Sequence, residues 1–217
     1  MTVAGAYTLQ NNEFRSTARE CITTHQTAEF TVAESAISGR QVGGYPSLYK
    51  GCHWAACTSD SGLPIRVARI RAGTVFTSWS TVQPADSGVW NAAYDIRIST
   101  TPVFHGHPTG AELMIWLSHA GHVQPAGHQT ASNVSIGGRF YNVWMGRRTS
   151  WIDISYELTN AATSVSNLDL QPLLTEALAR GYLQESWYLT GVESGFELWQ
   201  GGKGLATRSF SVNVAGS

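Results

Sequence analysis

The chain has 217 residues, a length that suits one domain of the larger all-β kind and allows a sizeable core. Charged residues make up only 13%, about half of the usual ~25%, and Lys50 and Lys203 are the only lysines. The net charge of −1 gives no field that would attract nucleic acid or an anionic membrane, and no apolar run is long enough to span a membrane.

Short strands separated by turn signals run along most of the chain. Glycine pairs mark turns at 43–44, 137–138 and 201–202. In chain order, the predicted strands are 28–32, 65–70, 75–82, 92–99, 112–118, 140–145, 150–158, 187–193, 195–199 and 207–214. This spacing is typical of a two-sheet sandwich or jelly roll. Because no linker or internal repeat interrupts it, we predict a single domain over residues 1–217.

Cysteines occur at three positions, Cys21, Cys52 and Cys57. The loop from Cys52 to Cys57 could close as a small disulfide ring. A metal site is the alternative, but no second Cys/His pair stands at ligand spacing, so we favour the disulfide. The first residues, 1–5, have neither a basic n-region nor an apolar h-region, so we expect no signal peptide in this sequence.

One segment departs from the strand pattern. Asn167 or Asp169 could cap the start of a helix there, and Gly181 can end it. We therefore predict one amphipathic helix packed on the outside of a sheet. The apolar residues that recur at helical spacing are Leu170, Leu173, Leu174, Ala177 and Leu178.

Two glutamates stand inside apolar, aromatic strands, where a carboxylate is costly to bury without a partner. Alternate residues of a strand point to opposite faces. Glu112, Met114 and Trp116 therefore share one face of the first strand, and Glu197 and Trp199 share one face of the second. A solvated outer face would carry Thr, Ser and Lys in these places, so we favour an aromatic-lined groove.

A third strand has the same polarity, with Asn91, Ala93 and Asp95 on one face. Two carboxyls in an aromatic groove are typical of a glycosidase, and Asp95 could hydrogen-bond one of them. The carboxyls of a retaining enzyme lie ~5–5.5 Å apart, and those of an inverting enzyme ~6.5–9.5 Å apart. Strand parity does not give this separation, so both stereochemical outcomes remain open at this point.

Several blocks of sequence are weak alone but informative by their order and spacing: 10–12, 51–54 with Cys57, 90–96, 112–117, 187–189, 195–199 and 204–205. Together they resemble glycoside hydrolase family 12, endo-β-1,4-glucanases, almost from end to end. The resemblance implies an all-β, two-sheet β-jelly-roll sandwich with a concave substrate cleft and one packed α-helix. It also implies a retaining mechanism, a β-1,4-glucan substrate, a secreted protein and no cofactor or metal, with a monomer as the default.

By motif match, the resemblance makes Glu112 the nucleophile, Glu197 the general acid/base and Asp95 the aspartate beside the nucleophile. It implies that Cys52 and Cys57 form a loop disulfide found in bacterial members. His53 could reach the cleft, or it could be a loop residue ordered by that disulfide. The positions expected to bind the glucan are Asn12, Phe14, His53, Asn91, Met114 and Trp116.

The sequence departs from the family pattern at two places. Phe14 stands where the family usually has a tryptophan that serves as a sugar platform, and phenylalanine offers less stacking area and no N–H donor. Bacterial relatives often carry an earlier cysteine that would pair with Cys21. The sequence begins too late to contain it, so we expect Cys21 to be a free thiol.

Other kinds of site have less support. Five histidines, His105, His107, His119, His122 and His128, superficially suggest metal ligands. They lack acidic or cysteine partners at a recognised spacing, so we interpret them as loop residues at the cleft edge. No G-x-S-x-G motif supports a serine hydrolase. A non-catalytic glycan-binding module would not need two carboxylates, and a xylanase on the related jelly roll fits the sequence blocks less well. Cellulose, mixed-linkage β-glucan and xyloglucan are not separated by the sequence.

Overall fold

The computed structural model describes residues 1–102, 106 and 109–215. Its helical elements are α1 (Gln171–Ala179) and a 3₁₀ turn at Val67–Arg69. Its strands are β1 (Thr2–Val3), β2 (Tyr7–Gln10), β3 (Glu20–Thr23), β4 (Phe30–Ser35), β5 (Ser47–His53), β6 (Ala56–Cys57), β7 (Ile65–Arg66), β8 (Val75–Val82), β9 (Gly88–Ser99), β10 (Ala111–Ala120), β11 (His128–Ile136), β12 (Arg139–Arg147), β13 (Ile152–Leu158), β14 (Ser164–Asp169), β15 (Tyr188–Gly201) and β16 (Ala206–Val214).

The strands form two sheets, which confirms the predicted all-β sandwich. The larger sheet has the order β1-β2-β5-β15-β9-β10-β13-β12-β11, with β6 paired to β5 and β7 paired to β15. The smaller sheet has the order β14-β8-β16-β4-β3. Strands β10 and β13 pair in parallel, and the neighbours of both on their other sides are antiparallel. Three central strands of the larger sheet, β15, β9 and β10, carry the predicted acidic residues.

Aromatic side chains join the two sheets across the main core. Phe196 of β15 lies with its ring centroid 6.0 Å from Phe30 and 5.6 Å from Trp79, which belong to the smaller sheet. Tyr94 of β9 packs against Trp79 at 5.3 Å. Truncating a buried aromatic such as Phe196 to alanine costs about 3–5 kcal/mol, so these contacts hold the larger sheet in place.

The predicted alternation of faces is confirmed in all three acidic strands. Ala92, Tyr94 and Ile96 of β9, with Phe196 and Leu198 of β15, belong to the core between the sheets. The opposite face of the larger sheet carries a second, small apolar cluster, formed by Ala93, Met114 and Trp116 with Val123 and Trp199 packed against it. Because the side chains alternate, the acidic residues of these strands point to this second face.

Three predicted strands differ from the structure by more than a shift of their ends. The segments 187–193 and 195–199 form one continuous strand, β15, because Gly195 is a point of close backbone approach and not a break; a Cβ there would collide with the backbone oxygen of Pro46. The predicted strand 65–70 is wrong beyond Arg66. Val67 and Ile70 are both buried, and this three-residue spacing fits the 3₁₀ turn that the chain adopts there.

The predicted helix is confirmed as α1, which packs against the larger sheet. Tyr156 of β13 points into the core and donates to Glu176 Oε2 at 2.6 Å, fixing the helix to the sheet. Neither predicted cap residue holds the N-cap position, which is Leu170, although Asp169 Oδ1 accepts from the N–H of Gln171 at 3.0 Å. Gly181 follows the helix with a positive φ of 72°. Within the described residues, no helix is long and apolar enough to cross a membrane.

Candidate active site

A cleft of about 540 Å³ opens on the face of the larger sheet that points away from the main core. It brings together six of the residues predicted from sequence: Asn12, Phe14, His53, Asp95, Glu112 and Glu197. The remaining lining residues are Arg15, Val42, Trp54, Arg97, Arg148, Trp151 and Asp153. The cleft therefore combines aromatic side chains with an unusually dense set of charged groups.

Glu197 lies in β15 opposite Asn91 of β9. Asn91 Nδ2 donates a short hydrogen bond to Glu197 Oε2, and Asn91 Oδ1 accepts from the N–H of Glu197 at 3.1 Å. Burial raises the pKa of Glu197 to about 7; the Asn91 bond opposes this rise and the charge of Glu112 adds to it. A carboxyl with this pKa can hold a proton near neutral pH and can also release it, as a general acid/base must.

Glu112 lies in β10, and its side chain is 18% exposed in the same cleft. Arg97 Nη1 donates to Glu112 Oε2 at 2.6 Å, which places a full positive charge against this carboxylate. Across the parallel β10–β13 pair, Glu112 stands in register with Asp153. The two glutamates thus have different partners, a cation for Glu112 and a neutral amide for Glu197.

Asp95 lies beneath these groups and is buried. Asp95 Oδ2 forms an ion pair with Arg97, which also binds Glu112, so an arginine bridge takes the place of the predicted bond from Asp95 to a catalytic carboxylate. Burial raises the pKa of Asp95 well above its ordinary value, and Arg97 opposes that shift. Burial alone would also raise the pKa of Glu193, but His53 and Arg97 hold it below the ordinary value.

His53 meets both of its predicted descriptions. It ends β5 in a hairpin closed by the Cys52–Cys57 disulfide, which confirms that pairing, and it also lines the cleft. Its Nδ1 lies 2.8 Å from Glu193 Oε2, and its ring stacks on Tyr49 at 5.5 Å. Cys21, in β3, is unpaired and half-buried.

Three residues predicted to bind glucan do not line the cleft. Asn91 is 0% exposed and reaches the site only through Glu197. Met114 and Trp116 lie on the same face of the sheet as Glu112 and are buried in the small apolar cluster. Trp116 also borders a separate pocket of about 210 Å³ beside His119 and Glu157. These side chains are therefore covered in this structure, and their contact with a glucan stays a prediction.

Aromatic residues form the rim of the cleft. Phe14 is 50% exposed, so its ring is available to stack on a sugar even though it is smaller than tryptophan. Trp54, on the disulfide hairpin, meets Trp151 edge to face with ring centroids 6.5 Å apart. Trp151 Nε1 donates to Asp153 Oδ1 at 2.8 Å, and Arg148 Nε bonds Asp153 Oδ2 at 2.5 Å. The loop between β12 and β13 is thereby tied to the cleft floor.

The histidine interpretation needs correction. His119 lies within β10 and His128 begins β11, so neither is a loop residue. His122 borders a neighbouring pocket of about 520 Å³, and His105 and His107 lie outside the described residues. Among the described residues, no group of three or more His, Cys, Asp or Glu side chains is arranged to hold a metal ion.

Sequence reasoning missed several charged residues of the site. Arg97 follows Asp95 at even spacing, and Glu193 precedes Glu197 at even spacing, so strand parity alone would have placed both on the cleft face. Glu193 was overlooked because β15 was divided at Ser194. Arg148 and Asp153 carried no pattern that distinguished them from surface charges.

The sequence matches the family described as glycosyl hydrolase family 12 over residues 5–215. The chain belongs to this family. Endoglucanase Cel12A from Rhodothermus marinus has a similar structure, with a TM-score of 0.93 at 43% identity over 99% of this chain and 94% of that one. Endoglucanase S from Pectobacterium parmentieri is 32% identical over 82% of this chain and 68% of its own.

A third similar protein carries a different name. The native family 12 xyloglucanase from Bacillus licheniformis has a TM-score of 0.85 at 27% identity, covering 97% of this chain and 94% of that one. Family membership makes this chain a retaining glycoside hydrolase, and it supports the two-sheet β-jelly-roll fold with a β-glucan as substrate. Family membership thus decides between the retaining and inverting mechanisms, which strand parity left open, in favour of retention.

Proposed function

We propose that Glu112 and Glu197 carry out the endo-β-1,4-glucanase reaction of this chain, with Glu112 as nucleophile and Glu197 as general acid/base. One observation carries this assignment. The two carboxyls share one cleft, yet Glu112 is paired with the Arg97 cation, whereas burial raises the pKa of Glu197 to about 7. Divergent environments of this kind are how one site obtains an ionised nucleophile and a protonated acid.

The reaction then follows two displacements. Glu112 attacks the anomeric carbon while protonated Glu197 gives its proton to the departing glycosidic oxygen, leaving a glycosyl ester on Glu112. Glu197 is now a carboxylate and takes a proton from a water molecule, which attacks the same carbon and releases Glu112. A pKa near 7 lets Glu197 serve in both directions at neutral pH.

The substrate we propose is an unbranched β-glucan that contains β-1,4 bonds, such as cellulose or mixed-linkage β-glucan. The open cleft has the exposed Phe14 ring at its rim, where a glucosyl ring can stack. The higher identity to the Rhodothermus marinus endoglucanase than to the Bacillus licheniformis xyloglucanase favours this choice. Xyloglucan is the competing substrate that the assay must include.

The direct test is reducing-sugar release from carboxymethyl-cellulose, barley β-glucan, xyloglucan and xylan by wild type and Glu112→Gln. Glutamine keeps the shape of the side chain but cannot form the ester, so we expect turnover to fall by about 10⁴-fold or more while folding and glucan binding persist. Glu185→Gln, at an exposed position outside the cleft, is the matched control. Near-wild-type hydrolysis by Glu112→Gln would contradict the assignment.

We also propose that the chain works as one secreted, monomeric catalytic domain over residues 1–217. Two considerations support secretion: glucan polymers are met outside the cell, and the Cys52–Cys57 disulfide is of a kind that persists in oxidising compartments. Gel filtration with light scattering tests the monomer. Limited proteolysis that releases a stable active fragment would argue against one domain.

A further inference from the structure

Arg97 is a buried cation in the cleft floor that the two-step mechanism does not use. It lies in β9, is 5% exposed, and stands opposite Glu112 in the β9–β10 register. Its guanidinium contacts three carboxylates, through Nη1 to Glu112 Oε2 at 2.6 Å and through Nη2 to Asp95 Oδ2 and, at 3.5 Å, to Glu193 Oε2. A buried arginine with this many partners fixes geometry as well as charge.

We propose that Arg97 is a positioning residue that fixes the nucleophile: it holds Glu112 by Oε2 and leaves Oε1 to attack the anomeric carbon. The inference rests on the proposed role of Glu112 and specifies how that role is achieved. A nucleophile displaced by about 1 Å can lose about 100-fold in rate, so the atom that holds it matters.

The surroundings of Glu112 explain why a cation is required. Acidic side chains of three strands lie near Glu112, and each of them that is ionised would repel an ionised Glu112 that lacked a counter-charge. Arg148 is also cationic, but its side chain bonds Asp153. The charged groups around Glu112 are Asp95 and Arg97 on β9, Asp153 on β13, Glu197 on β15 and Arg148 in the β12–β13 loop.

Arg97 is itself held in place by a chain of bonds that reaches strands β5 and β2. Glu193, its partner on β15, interacts with His53 Nδ1 at 2.8 Å and accepts from Ser47 Oγ at 2.6 Å and Gln10 Nε2 at 2.8 Å. These partners lie on β5 and β2. The orientation of Glu112 is thus fixed through four other strands of the sheet, β9, β15, β5 and β2, and does not depend on a loop.

Arg97 remains bonded to Glu112 Oε2 through both steps of the reaction. In the first, a bond forms between Oε1 and the anomeric carbon, the glycosidic C–O bond breaks, and the leaving oxygen takes its proton from Glu197. Arg97 keeps its hydrogen bond to Oε2, which is now the carbonyl oxygen of the ester. In the second, water displaces Oε1, and Arg97 again faces a full carboxylate charge. The charge of Arg97 thus favours the departure of Glu112, whereas its contribution to the attack is the orientation of Oε1.

The test uses 2,4-dinitrophenyl β-cellobioside, whose leaving group needs no proton and therefore isolates the nucleophile from Glu197. We expect Arg97→Gln to lower kcat/KM on this substrate by about 100-fold. Arg97→Lys keeps the positive charge but not the planar guanidinium with its paired N–H donors, so its kcat/KM should lie between those of Arg97→Gln and wild type. Arg180→Gln is the matched control, because it removes an Arg–Glu pair on α1, outside the cleft, and should leave kcat/KM unchanged.

A second variant and a second readout keep the test independent of folding. Arg97→Gln/Glu193→Gln removes one buried acid together with the cation, so fewer unpaired charges remain if the single variant unfolds. Trapping with a 2-deoxy-2-fluoro cellobioside, followed by peptide mass analysis, should label Glu112 in wild type and label it more slowly in a folded Arg97 variant. A label on another residue refutes the proposed function, whereas labelling of Glu112 at the wild-type rate without Arg97 refutes this inference alone.

Discussion

Asn91 offers the sharpest test of how the protein sets the protonation of Glu197. Its side-chain N–H stabilises the charged form of Glu197, so it lowers a pKa that burial has raised to about 7. Removing the donor with Asn91→Ala must therefore raise this pKa further. Hydrogen bonds to charged groups are worth about 1.5–3 kcal/mol, and one pKa unit is about 1.4 kcal/mol, so the shift should be about 1–2 units.

The assay is kcat/KM against pH on an aryl β-cellobioside with a poor leaving group, because this ratio reports groups of the free enzyme. Glu197 must be protonated for the first step, so the alkaline limb should move from about pH 7 to about pH 8–9 in Asn91→Ala. The maximum should also fall, because the N–H of Glu197 loses its acceptor, Asn91 Oδ1.

Two controls separate this effect from general damage. The 2,4-dinitrophenyl substrate needs no general acid, so its alkaline limb should not follow the shift. Asn142→Ala removes a similar amide-to-carboxylate bond, to Glu157 Oε2 at 3.3 Å, and should leave the limb in place. An alkaline limb that stays at its wild-type position, or moves to lower pH, in Asn91→Ala would refute the reasoning.

Two further predictions concern stability and affinity. Glu20 is 6% exposed, neither of its oxygens has a hydrogen-bond partner among the described residues, and burial raises its pKa to about 8. Its folded pKa exceeds the unfolded value of about 4.5, so the free energy of unfolding should fall by a few kcal/mol as pH rises from about 4.5 to 8. Urea unfolding midpoints of Glu20→Gln, measured over the same pH range, should not show this decline. Phe14→Trp should lower KM for cello-oligosaccharides roughly fivefold, about 1 kcal/mol, with kcat unchanged; a changed kcat at constant KM would contradict a platform role.

Alternation of apolar and polar residues predicted the strands that have one buried and one exposed face. It failed for strands in which this alternation is weak or interrupted. Strand β8 was predicted with its observed bounds because its buried residues alternate without interruption. Strand β11 was missed because it is mostly exposed and carries two register shifts, and β14 was missed because a bulge interrupts it. Strands β1 and β2 are too short to show a period.

In the site too, the residues fixed by the local strand pattern were predictable from the sequence, whereas contacts between distant segments were not. Parity put Glu112, Glu197 and Asp95 on one face because each lies in a regular strand. It could not show that Arg97 bridges Asp95 to Glu112, since this depends on which strands are neighbours in the sheet. Nor could it show that Trp54 and Trp151 meet, because two distant loops bring them together.

Strand β9 accounts for the different chemistry proposed for the two glutamates. It lies between β15 and β10, so one face of β9 supplies a partner to each catalytic strand. Asn91 gives Glu197 a neutral donor, which leaves burial to raise its pKa, and Arg97 gives Glu112 a cation. Ala93, between them on the same face, is buried in the small apolar cluster with Met114 and Trp116. One face of a single strand thus gives the two glutamates different electrostatic surroundings.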